Sequence, residues 1–203
     1  GGGASLPNFK SQQHPVLKAI EANCTPAIFY NTSKLKGLFR RWVSGFSDDM
    51  SLFINSLGVL KSGKDPHLPL VQRVRNALQS NLERYEAYFH AAGGALNVKK
   101  CFYYLVNFEW TGTEWRYQAN NEMGIEQVTI TPTKLDNSGT PELVQWLEAD
   151  DAQRTLGSII VPTGSFYWQL DVLHGHLKTW QHCLRNMDSA NLQAKWLSFK
   201  TVF

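Results

Sequence analysis

Two adjacent carboxylates, Asp48 and Asp49, sit in the stretch Gly45-Phe46-Ser47-Asp48-Asp49-Met50-Ser51-Leu52-Phe53 and are the side chains of this sequence best suited to chemistry. Neighbouring acids repel each other, and a divalent cation that takes oxygen ligands, Mg²⁺ or Mn²⁺, makes the pairing favourable. Asp48 and Asp49 are therefore candidate metal ligands. Ser and Asp are also favoured turn formers, so the same residues read as a polar turn with no ligand. Asp150 and Asp151 make a second acid pair, but beside Gln153 and Arg154 at a strand entrance their expected role is a turn or an ion pair with Arg154. His174, His176 and His182 fall in one helical stretch, and the spacing of two between the first pair puts them on different faces, against a metal site. Tyr103, Tyr104, Phe108, Trp110 and Trp115 could stack on bases, although the interior of a small sheet is the expected place for at least alternate ones. No Ser or Cys has the surroundings of an activated nucleophile, and no glycine-rich phosphate loop is present.

The elements that must position the acid pair follow from the pattern on either side of it. Leu38–Phe46 and Met50–Asn55 are rich in apolar, aromatic and β-branched residues, which predicts a hairpin with the acids at its tip. Before it, residues 4–37 are poorly patterned, with Pro15 and Pro26 as interruptions, a short helix over Val16–Ala22 and a turn at Asn31-Thr32-Ser33. After it, Gly58–Pro69 reads as a loop. Val71, Val74, Leu78, Leu82, Tyr85 and Phe89 then recur at helical spacing, with Arg73, Arg75, Asn76, Gln79, Asn81, Glu83 and Glu86 on the other face and Gly93-Gly94 as the stop. The apolar stripe of this helix is expected to lie on a sheet.

A strand-rich middle comes next: Cys101–Trp110 and Glu114–Tyr117 as a hairpin around Thr111-Gly112-Thr113, a strand over Glu126–Thr131, a turn at Asp136–Gly139, a strand over Leu143–Leu147 and another over Arg154–Val161. A helix carrying Leu170, Leu173, Leu177, Trp180 and Leu184, capped at Ser165, and a third helix from Ala190 complete the chain.

Hydrophobic residues at 43% and charged residues at 18% of 203 place the chain among globular proteins. With no apolar run of the roughly 18 residues that span a bilayer and no signal-peptide pattern, a soluble, intracellular protein with no membrane partner is expected. Cys24, Cys101 and Cys183 are odd in number and widely spaced, so neither a disulfide framework nor a zinc site is indicated. Gly1-Gly2-Gly3 reads as an engineered scar or the cut end of a longer chain. Net charge is only +3, but residues 1–47 hold Lys10, Lys18, Lys34, Lys36, Arg40 and Arg41 against the single acid Glu21, a local +5. A basic arm leading into an acid pair suits a polyanion plus a metal ion, with Lys34, Lys36, Arg40 and Arg41 as the phosphate-binding candidates; a solvated face with no ligand would look the same.

The succession of an Asp-Asp hairpin, an amphipathic helix, Gly94-Ala95-Leu96-Asn97-Val98-Lys99-Lys100-Cys101 and a strand with Leu156-Gly157 resembles the C-terminal half of a reverse transcriptase palm followed by the start of its thumb. Phe46-Ser47-Asp48-Asp49 is similar to that family's aromatic-x-Asp-Asp metal motif. Gly94, Asn97 and Lys100 resemble the motif at the end of its palm helix, and Arg154-Thr155-Leu156-Gly157 resembles the strand that grips the primer end. The phrasing around Gly93–Asn97 and Lys100–Tyr104 looks most like the polymerases of eukaryotic retroelements, and the likeness covers residues 38–203. It implies an α+β fold: an antiparallel palm-type sheet with an amphipathic helix packed on it and a small helical thumb-like segment. Residues 1–37 would be an irregular basic arm, 38–164 a partial palm with a long strand-rich insertion, and 165–203 the start of a thumb, cut short.

The resemblance further implies two-metal nucleotidyl transfer templated by RNA, with a primer–template and dNTP as partners and Mg²⁺ or Mn²⁺ as the cofactor. Asp48 would be the principal metal ligand of the hairpin and Asp49 the secondary one. Lys100 would stabilise or protonate the departing pyrophosphate, and Leu156-Gly157 would let the backbone approach the primer. Read without the family, Lys100 is a solvated lysine before a strand and Gly157 a bulge. The family's first metal-binding aspartate comes from an upstream strand, and this chain has no aspartate before Asp48. The template grip and basic fingers are also missing. The expectation is a fragment inactive alone, weak in metal binding, that needs fingers and upstream palm from elsewhere. The alternative is a noncatalytic nucleic-acid-binding or protein-interaction module.

Overall fold

The computed structural model of the chain describes residues 5–31, 37–46, 49–132, 139–155 and 158–185. Among the described residues the fold is mixed α+β, as expected, with four α-helices and several small two-stranded sheets, most of them antiparallel. It divides into two compact units, Gly1–Ala149 and Asp150–Phe203. No helix among the described residues is long and apolar enough to cross a membrane.

The first unit begins with α1 (Ser5–Asn23). Strands β1 (Ala27–Asn31) and β2 (Gly37–Arg41) pair antiparallel, as do β3 (Val43–Phe46) and β4 (Asp49–Leu52). Helices α2 (Ser56–Ser62) and α3 (Leu70–Ala91) follow. Three expectations change here. Helix α1 runs through Pro15 and occupies most of the segment expected to be irregular. An interior proline costs about 3 kcal/mol, but burying a Val or Ile side chain returns roughly 1.5–3 kcal/mol each, and Val16, Ile20 and Cys24 are buried with Tyr85 of α3 in one cluster. Second, Leu38–Arg41 pair with β1, so the acid hairpin is shorter than its apolar flanks suggested. The two hairpins are joined where Phe53 N–H donates to the Trp42 carbonyl at 2.9 Å and Ala27 N–H to the Phe53 carbonyl at 3.1 Å. Third, α2 occupies the start of the expected loop. Asn55 caps it by accepting from Gly58 N–H at 3.0 Å, and Gly63 ends it at φ 68°. Gly58 lies so close to the Pro26 carbonyl that any Cβ would collide with it.

Helix α3 is covered on two sides. Its Val71, Val74, Leu78 and Leu82 pack on a core of Val98, Tyr103, Leu105, Met123, Val128, Ile130 and Val144. That core is supplied by β5 (Phe102–Tyr104), β8 (Thr129–Ile130) and the segments beside them. Strand β6 (Phe108–Trp110) pairs with β7 (Trp115–Tyr117), the hairpin expected around Thr111–Thr113. Strand β8 pairs with β9 (Glu142–Leu143), and β10 (Gln145–Leu147) lies parallel to β5, so one sheet departs from the antiparallel rule. Of the turn expected at Asp136–Gly139, all but Gly139 lies outside the described residues.

The side of α3 expected to face solvent is only partly wet. Arg73 and Asn81 are buried. The Arg73 guanidinium donates to the Lys64 carbonyl at 2.9 Å and the Val59 carbonyl at 3.4 Å, tying the end of α2 down. Asn81 donates to the Thr25 carbonyl at 2.8 Å and accepts from Thr25 N–H at 2.9 Å.

In the second unit, β11 (Gln153–Thr155) and β12 (Ser158–Ile160) pair antiparallel with Thr155 opposite Ser158, two strands where one was expected. Leu156 and Gly157 lie outside the described residues. Helix α4 (Tyr167–Arg185) follows; Ser165 Oγ accepts from Tyr167 N–H at 3.3 Å, and Gln169 Oε1 accepts from Ile159 N–H at 2.9 Å. Leu170 and Leu173, expected on its buried face, are 54% and 41% exposed. The helix expected from Ala190 lies outside the described residues.

Burial pushes the Tyr85 phenol up to about 12 from an ordinary 10. A folded-state value above the unfolded one stabilises the fold below pH 10 and loses that contribution as pH rises through about 12. Absorbance at the phenolate band should show Tyr85 titrating late, as should Tyr103, whose phenol burial also pushes up, and urea midpoints should fall between pH 10 and about 12. Tyr85→Phe should flatten that part of the pH dependence.

Candidate active site

The acid hairpin is placed from its stem. Strands β3 and β4 pair with Val43 opposite Leu52 and Phe46 opposite Asp49, so Asp49 opens β4 and only Ser47 and Asp48 connect the strands. Ser47 and Asp48 lie outside the described residues. The stem packs through Trp42, Met50 and Leu52 against the cluster that holds Val16, Ile20, Cys24 and Tyr85. Phe89, Ala92 and Leu96, at the C-terminal end of α3 and just beyond it, pack against the same cluster. Leu96 also packs against the strand core, so hairpin stem, helix end and strand layer meet around it.

The turn between α3 and β5 carries the Gly-x-x-Asn-x-x-Lys residues. Gly93 holds φ +84°, a left-handed conformation that only glycine adopts at low cost. Gly94 is bare for a different reason: a Cβ there would stand 2.5 Å from the Phe89 ring. Asn97 precedes a single 3-10 turn over Val98–Lys100, closed by Lys100 N–H donating to the Asn97 carbonyl at 2.9 Å. The Cys101 thiol donates to the same carbonyl at 3.3 Å, and burial raises its pKa, which keeps it protonated. Lys100 is exposed at the end of this turn, four residues past Leu96.

Arg40 and Arg41 are exposed on β2, on opposite faces of the ribbon. Arg41 stands 5.1 Å over the Phe53 ring and donates to Ser44 Oγ at 3.1 Å, which brings its charge to the stem of the acid hairpin. Lys34 and Lys36 lie outside the described residues. So do Leu156 and Gly157, whose flanking strands belong to the second compact unit. Among the described residues no three His, Cys, Asp or Glu side chains gather where they could hold a metal ion. His174, His176 and His182 are exposed on α4, and Asp150 lies in a turn before β11.

No protein-family model, curated protein or solved structure matches this chain. The stem, the helix end and the lysine turn thus stand on their own geometry.

Of the aromatics considered for base stacking, Tyr103 is core: its ring stacks on Trp146 at 5.7 Å and its hydroxyl accepts from Val128 N–H at 3.2 Å. Phe108, Trp110 and Trp115 are exposed. Sequence reasoning passed over Phe29, Tyr30 and Phe39, which are exposed on the β1–β2 ribbon. The available signal was aromatic residues interleaved with Lys34, Lys36, Arg40 and Arg41 in a segment with no acid.

Gly94→Ala should displace the Phe89 ring and cost about 1–3 kcal/mol in a urea melt. An unchanged midpoint would mean that the turn does not hold its glycine for packing.

Proposed function

We propose that the chain is part of a reverse transcriptase-type polymerase: the half of a palm that carries the Asp48–Asp49 hairpin and the Lys100 turn, with Leu156-Gly157 as a primer-strand contact. The observation that carries the reading is the common packing of the β3–β4 stem and the end of α3 on one apolar cluster, with the lysine turn leaving from that same place. A carboxylate pair and a cation in one site would suit chemistry in which a divalent ion and a leaving anion must be close together. Divalent cations, Mg²⁺ or Mn²⁺, would supply charge neutralisation of the reacting phosphates. The chain's own part is to hold carboxylate oxygens at the tip, to present the Lys100 ammonium, and to keep both on rigid supports. An upstream palm strand with a further aspartate and a template-binding fingers region would complete the site, with dNTP and a primer–template as substrates.

The exposed arginines and rings of the β1–β2 ribbon equally favour a second reading, a noncatalytic nucleic-acid-binding module in which the acid tip is only a turn. Calorimetric titration with Mg²⁺ or Mn²⁺ separates the two. The polymerase reading expects weak, roughly millimolar binding that Asp48→Asn and Asp49→Asn together abolish. Metal binding that survives both substitutions, or its absence from the unaltered chain, would leave the noncatalytic reading in place.

A further inference from the structure

The β1–β2 ribbon is paired along its length, yet every residue of β2 is exposed. Its register puts Phe29 opposite Phe39 and Ala27 opposite Arg41 on one face. The two rings are 45% and 53% exposed, 6.4 Å apart and tilted by 34°. Next along the same face, Arg41 lies over the Phe53 ring at 5.1 Å and reaches Ser44 Oγ. Rings and cation therefore form a row that starts on the outer ribbon and arrives at the stem of the acid hairpin. Residues 27–41 hold Lys34, Lys36, Arg40 and Arg41 and no acid, so the whole ribbon is attractive to a polyanion.

We propose that this face is a stacking track for single-stranded nucleic acid, with Phe29 and Phe39 receiving bases and Arg41 a phosphate, leading the strand to the β3–β4 stem. The destination rests on the polymerase reading; the binding does not. Flat rings take any base, and a cation beside them takes the backbone, which is the pairing of features that single strands require. A second aromatic ribbon in the molecule shows the contrast. On β6–β7, Phe108, Trp110 and Trp115 are just as exposed, but the one basic residue of that ribbon, Arg116, pairs opposite Glu109 on the other face and is engaged by Glu109 and Glu122. The rings there have no free cation of their own ribbon beside them to take a phosphate.

The test is fluorescence anisotropy of a labelled single-stranded RNA of about a dozen nucleotides with the 203-residue chain, at low salt and in EDTA, so that no metal contributes. Phe29→Ala and Phe39→Ala should each weaken binding by about 5- to 100-fold, and Phe39→Trp should retain it. Arg41→Gln should weaken binding and reduce the salt slope by about one. Trp110→Ala and Trp115→Ala should leave affinity unchanged. The Phe39→Trp fluorescence should also quench on RNA addition, a readout that needs no destabilising substitution. The track is overturned if the chain does not bind at low salt, if Phe29→Ala and Phe39→Ala bind as the parent does, if the β6–β7 substitutions cost as much, or if the tryptophan is not quenched. Because metal is absent, each of these outcomes strikes the track and leaves the carboxylate reading to its own titration.

Discussion

Three side-chain amides hold this fold together by standing in for missing strands. A two-stranded ribbon leaves backbone N–H and C=O groups along both edges, and any that are buried must find partners. Asn81 pairs with both backbone groups of Thr25, at 2.9 and 2.8 Å. Asn55 does the same for Ile28, at 3.0 and 2.7 Å. Gln79 does it for Thr129, at 3.0 and 2.9 Å. An amide group carries one acceptor and two donors in a plane, which is why Asn and Gln can copy the pairing of a neighbouring strand. Breaking one such pair inside the protein strands two groups, at roughly 1–3 kcal/mol each.

The segment Cys24–Ile28 is where these contacts accumulate. The Trp42 indole N–H donates to the Cys24 carbonyl at 3.1 Å, Asn81 grips Thr25, Ala27 N–H donates to the Phe53 carbonyl at 3.1 Å, and Asn55 grips Ile28. Each partner belongs to a different neighbour: the approach to β3, helix α3, the residue after β4, and the cap of α2. One buried stretch of backbone thus fixes the acid hairpin's stem to both helices. The stem of that hairpin is fixed in this way, and the turn that carries Lys100 follows the same α3.

Much of this architecture was legible in residue order. The helical spacing of Val71, Val74, Leu78 and Leu82 gave α3 and its strand-facing side, and Thr111-Gly112-Thr113 gave the β6–β7 hairpin. What was not legible depended on partners distant in sequence. Gln79 and Asn81 look like solvent residues on a helical wheel, and nothing local reveals that strand edges lie against them. Pro15 looks like a helix breaker because the burial of Val16 and Ile20 that outweighs it comes from contacts some seventy residues away. Leu38–Arg41 looked like part of the acid hairpin because strand propensity does not say which neighbour a strand pairs with. The β3–β4 hairpin was legible from its apolar flanks. The amides that anchor its stem, Asn55 and Asn81, were not.

Native-state hydrogen exchange tests the amide scaffold directly, since Thr25, Ile28 and Thr129 donate their backbone N–H groups to side chains and not to a strand. The account predicts that these three amides exchange as slowly as the interior of α3, through global unfolding. Exchange as fast as that of the exposed turn amide of Thr113 would mean that the side-chain amides do not hold the strands, and that the acid hairpin is not fixed to the helices behind it.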